Sequence, residues 1–313
     1  MSRWDITDPD RVPTPEVSIT GKDSRKKDDA SPSVGRGGAT GDASQEIERA
    51  GRRANGSARR PIERRSRHEN RGRTYSLRSS EITAMADMGR FRAVDVRDLA
   101  RFAYHSDEAR MIRDLEHLRR QGLLQERTVL RAHKPARKMV TLTRQGHEVL
   151  RSTGELPESQ RAYHGFVKPK ELDHDADLYR VYQKAVEEIE KRGGHPLRVR
   201  LDFELKESIN RAREEAGRLP ENMRKRWLAA VAEENGLRDD GTTIHLPDLQ
   251  VEYETSHGRI ERENLELLSR NYREDGIRGK AAAGFTVYAR ASETGRIRRA
   301  LQESGLVREV LSI

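Results

Sequence analysis

The sequence predicts an α+β protein: a module of three helices and a β-hairpin, then a larger α/β region, behind a basic N-terminal tail. Three observations predict it. Over residues 106–143 a helical pattern is followed by two short alternating runs around a basic loop. From residue 172 onward, helical and alternating segments succeed one another with short connections. Residues 1–75 are rich in Ser, Gly, Asp, Pro and Arg and lack aliphatic periodicity, so they bury too little apolar surface to offset chain entropy.

Composition narrows the function classes. The 313 residues suffice for about two domains, yet 34% are hydrophobic and 36% charged, so part of the chain is expected to stay unfolded. There is no cysteine, which excludes disulfides and thiolate metal sites. No apolar run approaches the roughly 20 residues of a membrane span, and residues 1–13 lack the apolar segment of a signal peptide. The expectation is a cytoplasmic protein without a membrane partner, associated with nucleoid or plasmid DNA. Lys and Arg number 17 against 12 acids in residues 1–74, 16 against 10 in 75–152, and 28 against 30 in 153–313. A polyanion therefore belongs on the N-terminal half.

Within the tail, residues 49–73 concentrate arginines, among them Arg59, Arg60, Arg64 and Arg65. Such an arm can follow a phosphate backbone by counterion release, or it is a solvated linker. Residues 76–152 form the first expected domain. Ser79 and Ser80 suit the cap of a helix with Ile82, Met85 and Met88 inward, and a second helix is expected over 94–104. Ser106 or Asp107 caps the third, which ends at Gly122. At 100° per residue, Met111, Ile112, Leu115 and Leu118 share its packed side, and Arg110, Arg113, His117 and Arg120 the other. Residues 123–131 and 138–143 then pair as a hairpin around the basic loop. Three helices followed by a hairpin is the order of a winged helix-turn-helix. In that reading Arg110, Arg113, His117 and Arg120 enter the major groove of double-stranded DNA, while His133, Lys134, Arg137 and Lys138 meet the backbone or minor groove. The plainer reading is a protein-pairing module with a solvated arginine face. The strings DLEHLRRQGLLQER and KMVTLTRQGHEVL resemble winged-helix regulators of the MarR and PadR type, which implies that Thr143 caps a following helix.

Residues 153–171 read as a linker and 172–313 as a second domain. Asp173, Asp175 and Asp177 stand at the head of a helix whose Leu178, Tyr182, Ala185 and Ile189 point inward. A strand follows, then two charged helices over about 204–236 as an insertion, then strand, strand, helix, strand, helix and strand. The order helix, strand, strand, strand, helix, strand is that of a restriction-endonuclease-like, PD-(D/E)xK core. Asp248 after Pro247 at the head of the second strand and Glu266 on the third are its candidate catalytic and metal-binding acids. The position two after Glu266 is Leu268, so Lys280 on the next helix is the candidate replacement for the expected lysine. Mg²⁺ or Mn²⁺ enters only with cleavage; binding alone needs no cofactor. The acids also suit a strand start, a solvated sheet face and a helix N-terminus.

With His174 and Asp175, the strand IHLPDLQVEYE, the stretch NLELLSRNYR and the run GKAAAGFTVYA, the chain over 76–313 resembles the replication-relaxation family of plasmids and other mobile elements. That resemblance implies a winged helix joined to a degenerate nuclease-like domain. It further implies DNA binding tied to replication, DNA topology, transfer or its regulation. Two alternatives stand beside it: a metal-dependent DNA nuclease or nickase, and an adaptor to a relaxase or replication initiator. A homodimer is a further expectation, although no long heptad seam shows one.

Overall fold

A β-hairpin stands where composition suggests the end of the tail. β1 (Ser66–Asn70) pairs antiparallel with β2 (Arg73–Leu77). Arg71 and Gly72 join them at φ +49° and +73°, the two positive values that a two-residue type I′ turn requires. Tyr75 and Leu77 are buried, whereas β1 carries no aliphatic or aromatic side chain, which is why the pattern reads as unfolded chain. The expected tail boundary at residue 75 is thereby corrected. The computed structural model describes residues 64–131, 134–166, 169–268, 272, 274–303 and 310–313. Arg59, Arg60 and His133 lie outside the described residues. The described residues all fall in one compact unit, Pro61–Ile313.

After the hairpin come α1 (Ser79–Phe91), β3 (Val94–Asp95), α2 (Val96–Phe102), α3 (Glu108–Arg120), β4 (Leu124–Arg131), β5 (Lys134–Leu142) and α4 (Arg144–Thr153). The strands form a sheet in the order β3-β5-β4, so this part has the arrangement of a winged helix. The helix expected from residue 94 begins two residues later. Val94 and Asp95 pair with Val140 and Met139 instead, and the Asp95 carboxylate caps α2 by accepting from the Arg97 N–H at 2.9 Å. Asp107 and Thr143 cap α3 and α4 in the same way, accepting from Arg110 and Gly146. Gly146 also allows α4 to press on the turn after α3, because a Cβ there would meet the Leu123 carbonyl oxygen at 1.9 Å.

The expected linker is a packed strap. Leu156 and Gln160 are buried. The Gln160 side-chain amide donates to the Val199 carbonyl at 3.0 Å and accepts from the Val199 N–H at 2.9 Å. Tyr163 N–H donates to Gly89 O, and Gly165 N–H to Leu142 O. Backbone polar groups are thus satisfied where a free linker would leave them to water.

α5 (Pro169–Lys191) follows, and it joins the two halves because two of its faces are buried. The expected stripe of Leu178, Tyr182, Ala185 and Ile189 is buried, but so are Tyr179 and Val181. Tyr179 packs edge-on against Phe91 and Phe102, with ring centroids 5.4 and 6.0 Å apart, and its hydroxyl donates to Asp87 at 2.8 Å. Beyond it lie β6 (His195–Leu201), α6 (Asp202–Ala216), α7 (Glu221–Glu234), β7 (Arg238–Asp239), β8 (Ile244–His245), β9 (Leu249–Glu254) and β10 (Ile260–Leu268). The chain closes with α8 (Glu274–Ala282), β11 (Thr286–Ala289), α9 (Ala291–Gln302) and β12 (Val310–Ser312). The main sheet has the order β12-β11-β10-β9-β6. β6, β9 and β10 are antiparallel neighbours, continued by parallel β11 and β12. The strand expected over 245–254 is split between β8 and β9, leaving Leu246, Pro247 and Asp248 as the connection. The charged helices α6 and α7 enclose a small core of their own, with Leu205, Ile209 and Ala232.

Candidate nucleic-acid interface and acidic cluster

α3 is amphipathic by spacing, and its packed side fixes what the other side can offer. Met111, Asp114, Leu115 and Leu118 are buried. Asp114 accepts from Arg78 at 2.9 Å and from the Ser80 hydroxyl at 2.7 Å, which pins the helix to the start of α1. Arg113, Glu116, Arg119 and Arg120 are exposed, and Ile112 is 50% exposed. The inward expectation for Ile112 is corrected: it stands about 110° around the helix from the centre of the buried side. Arg119, not singled out by the sequence reading, faces the wing and lines a shallow groove with Ile112, Leu115, Glu126 and Lys138.

Two of the four residues assigned to the groove-reading side are held on its flank. Glu81, fully buried on α1, needs compensation for its charge. His117 Nδ1 lies 2.9 Å from it, and Arg65 of the hairpin segment reaches it at 3.2 Å. Arg65 also donates to the Ser76 carbonyl at 2.7 Å and lies 2.8 Å from the His117 ring. Arg65 and His117 are therefore clamps between the hairpin, α1 and α3, in place of the outward contacts expected of them. Arg110 is half-buried on the same flank. Arg113 and Arg120 remain at the outer face, seven residues and so about 10 Å apart along the axis.

The wing also divides. Lys138 is exposed and pairs with Glu126 at 2.9 Å, and Arg64 before the hairpin is exposed. Lys134 begins β5. Arg137 is 7% exposed and turned inward. Its guanidinium binds Asp95 at 3.0 Å, Asp173 at 3.2 Å and Asp177 at 2.9 Å, and the second Asp177 oxygen accepts from Arg290. Strand alternation accounts for this, since Arg137 shares the face of Met139, which packs on Leu172 and Ala176 of α5. Burial alone would raise the Asp177 carboxyl, yet Arg137 and Arg290 together hold it below the ordinary carboxylate range. Arg92 binds Asp175, and Arg180 binds Asp98 through paired contacts. The acids read from the sequence as a helix N-terminus lie inside α5 and bind arginines of both halves.

The second candidate site converges. Asp248 Oδ2 accepts from the Leu267 N–H at 2.8 Å, and the Asp248 N–H donates to Glu266 at 3.2 Å. Lys280 lies 3.0 Å from Glu266 and donates to the Leu246 carbonyl at 2.6 Å. Tyr272, missed in the sequence reading, donates to the same carboxylate at 2.8 Å, and His174 Nε2 is 3.7 Å from Asp248. Burial and the Asp248 charge push the Glu266 carboxyl up to about 7, against the pull of Lys280. Burial pulls His174 down, but the acids around it, Asp248 foremost and then Asp175 and Asp202, raise it overall. As arranged, the Glu266 carboxylate is committed to side chains of its own chain. Tyr272 and Lys280 engage both of its oxygens, and among the described residues no three His, Asp or Glu side chains converge.

Compared with known families and with curated proteins, the chain has no match. Among solved structures it is similar to Bacillus subtilis PadR in complex with operator DNA, at 15% identity over 50% of this chain and 91% of that one, with a TM-score of 0.20. Among the described residues no helix is long and apolar enough to cross a membrane.

Proposed function

We propose that the protein binds double-stranded DNA, presenting the outer face of α3 to the major groove and the β4–β5 wing to the adjoining backbone. The observation that carries this reading is the pair Arg113 and Arg120, exposed on a helix whose opposite side is locked into the core, with Lys138 exposed on the wing beside it. Their planar forks suit base edges and phosphates. The expected result is salt-dependent binding of a mixed-sequence duplex, followed by fluorescence anisotropy. About six phosphate contacts reduce affinity roughly 10³-fold between 50 and 200 mM salt. A flat response would remove the reading. The resemblance to replication-relaxation proteins argues for a role in replication, DNA topology or transfer of a mobile element. On the same footing, a relaxase or replication initiator, or a second copy of the chain, is a proposed protein partner.

A second reading, a DNA nuclease, is favoured by the convergence of Asp248, Glu266 and Lys280, and opposed by the engagement of both Glu266 oxygens by Tyr272 and Lys280. Supercoiled plasmid incubated with the protein and Mg²⁺ or Mn²⁺ is expected to stay intact on an agarose gel. Nicking by the wild type that disappears in Asp248→Asn would replace the binder with an enzyme.

A further inference from the structure

α3 has the β4–β5 hairpin on one side and, on the other, Arg65 at the base of the β1–β2 hairpin. Because successive residues turn by about 100°, His117 and Arg119 face roughly opposite ways around the helix. Arg119 lines the groove against Glu126 and Lys138 of the wing, whereas His117 meets Arg65 of the β1–β2 segment. Arg113 and Arg120 lie between these two flanks. The antiparallel register places Arg67 opposite Ser76 and Glu69 opposite Thr74 on one face of the β1–β2 hairpin. His68, Tyr75 and Leu77 take the other face, where the Tyr75 hydroxyl accepts from Gln145 of α4. Arg65, just before β1, shares the first face by alternation and turns into the Glu81 and His117 clamp, which ties the base of the hairpin to α3. Arg67 and Thr74 are exposed on this face, Arg64 is exposed just before β1, and residues 64–77 carry five arginines against one acid.

We propose that the β1–β2 hairpin is a second wing, which grips the phosphates of the DNA strand bordering the major groove on the side away from the β4–β5 wing. A helix about 10–12 Å across fills a groove about 12 Å wide. Elements fixed to its two flanks therefore meet the two backbones that border the groove. Arg64 and Arg67 supply charge, and the Thr74 and Ser76 hydroxyls supply donors of the kind that hold phosphate oxygens without reading sequence. The clamp on His117 sets the hairpin's position relative to α3, so this grip comes with a fixed register.

The inference rests on the DNA-binding reading, and one experiment separates the two. In the full chain, Arg64→Ala with Arg67→Ala is titrated against a mixed-sequence duplex over a range of salt. The slope of log affinity against log salt is expected to fall by about two, since each lost phosphate contact removes about 0.9. Affinity should drop alike for every duplex sequence. Removing two charges elsewhere, Arg213→Ala with Arg218→Ala on and beside α6, should leave the slope unchanged. The lysine pair Arg64→Lys and Arg67→Lys should retain it, with an unaltered denaturation midpoint as the check on folding. An unchanged slope in the alanine pair, or an equal fall in the α6 control, overturns the second wing and leaves the DNA reading standing. Absence of any duplex binding by the wild type overturns both.

Discussion

Arg137→Met is expected to lower the stability of the chain by about 3 to 5 kcal/mol, the range for removing one partner from a buried ion pair. Methionine keeps much of the volume but leaves Asp95 and Asp177, 3% and 0% exposed, short of the charge that compensates them. Arg290 still holds one Asp177 oxygen, so Asp177→Asn on the Arg137→Met background should recover part of the loss. Urea denaturation reads this as a lower midpoint. Asp177 is held below the ordinary carboxylate range, so its contribution is complete above about pH 4 and fades as pH drops through its lowered folded value. The measurement therefore belongs at neutral pH. A stability within about 0.5 kcal/mol of the wild type, joined to a loss of duplex affinity, would return Arg137 to the exposed wing contact that its position in the basic loop suggests.

Arg113→Ala with Arg120→Ala is expected to weaken binding to a preferred duplex roughly 10²-fold or more, at about 1–3 kcal/mol for each side chain that meets a base edge. Both residues are exposed, so the denaturation midpoint should hold. His117→Ala should differ in kind, because its ring lies against buried Glu81 and its loss should appear first in stability. If the arginine pair leaves affinity intact, α3 is not the reading helix. Competition between duplexes of different sequence distinguishes a base contact from a backbone one, since only the former changes the preference.

The contrast among these arginines shows how far local pattern reaches. The cap at Asp107 and, Ile112 excepted, the buried side of α3 were legible from residues within a few positions, whereas the cap at Thr143 came with the resemblance to winged-helix regulators. So was the buried stripe of α5. Arg137, Arg65 and His117 were not. Their partners Asp177, Glu81 and the hairpin lie 40, 16 and 52 residues away, and an arginine that pairs across such distances looks like one that faces water. Alternation did carry a signal at Arg137, which shares a strand face with buried Met139. The charge of its neighbours outweighed it. At the acidic cluster the sequence pointed to Asp248, Glu266 and Lys280, which do meet. Tyr272 had no motif to announce it, and only the packing of its hydroxyl against Glu266 reveals it.

The chain of ion pairs from Asp95 through Arg137 and Asp177 to Arg290 ties a wing strand to the end of β11. With such ties, and with the strap bonded to β6, the second half cannot swing as cargo on a tether. With a duplex on α3, as proposed, that half would take one helical phase, projecting from one side of the DNA at a set distance from the bound bases. Neighbouring sites spaced by whole turns would align these projections along one edge. A half-turn of extra base pairs would set them on opposite edges.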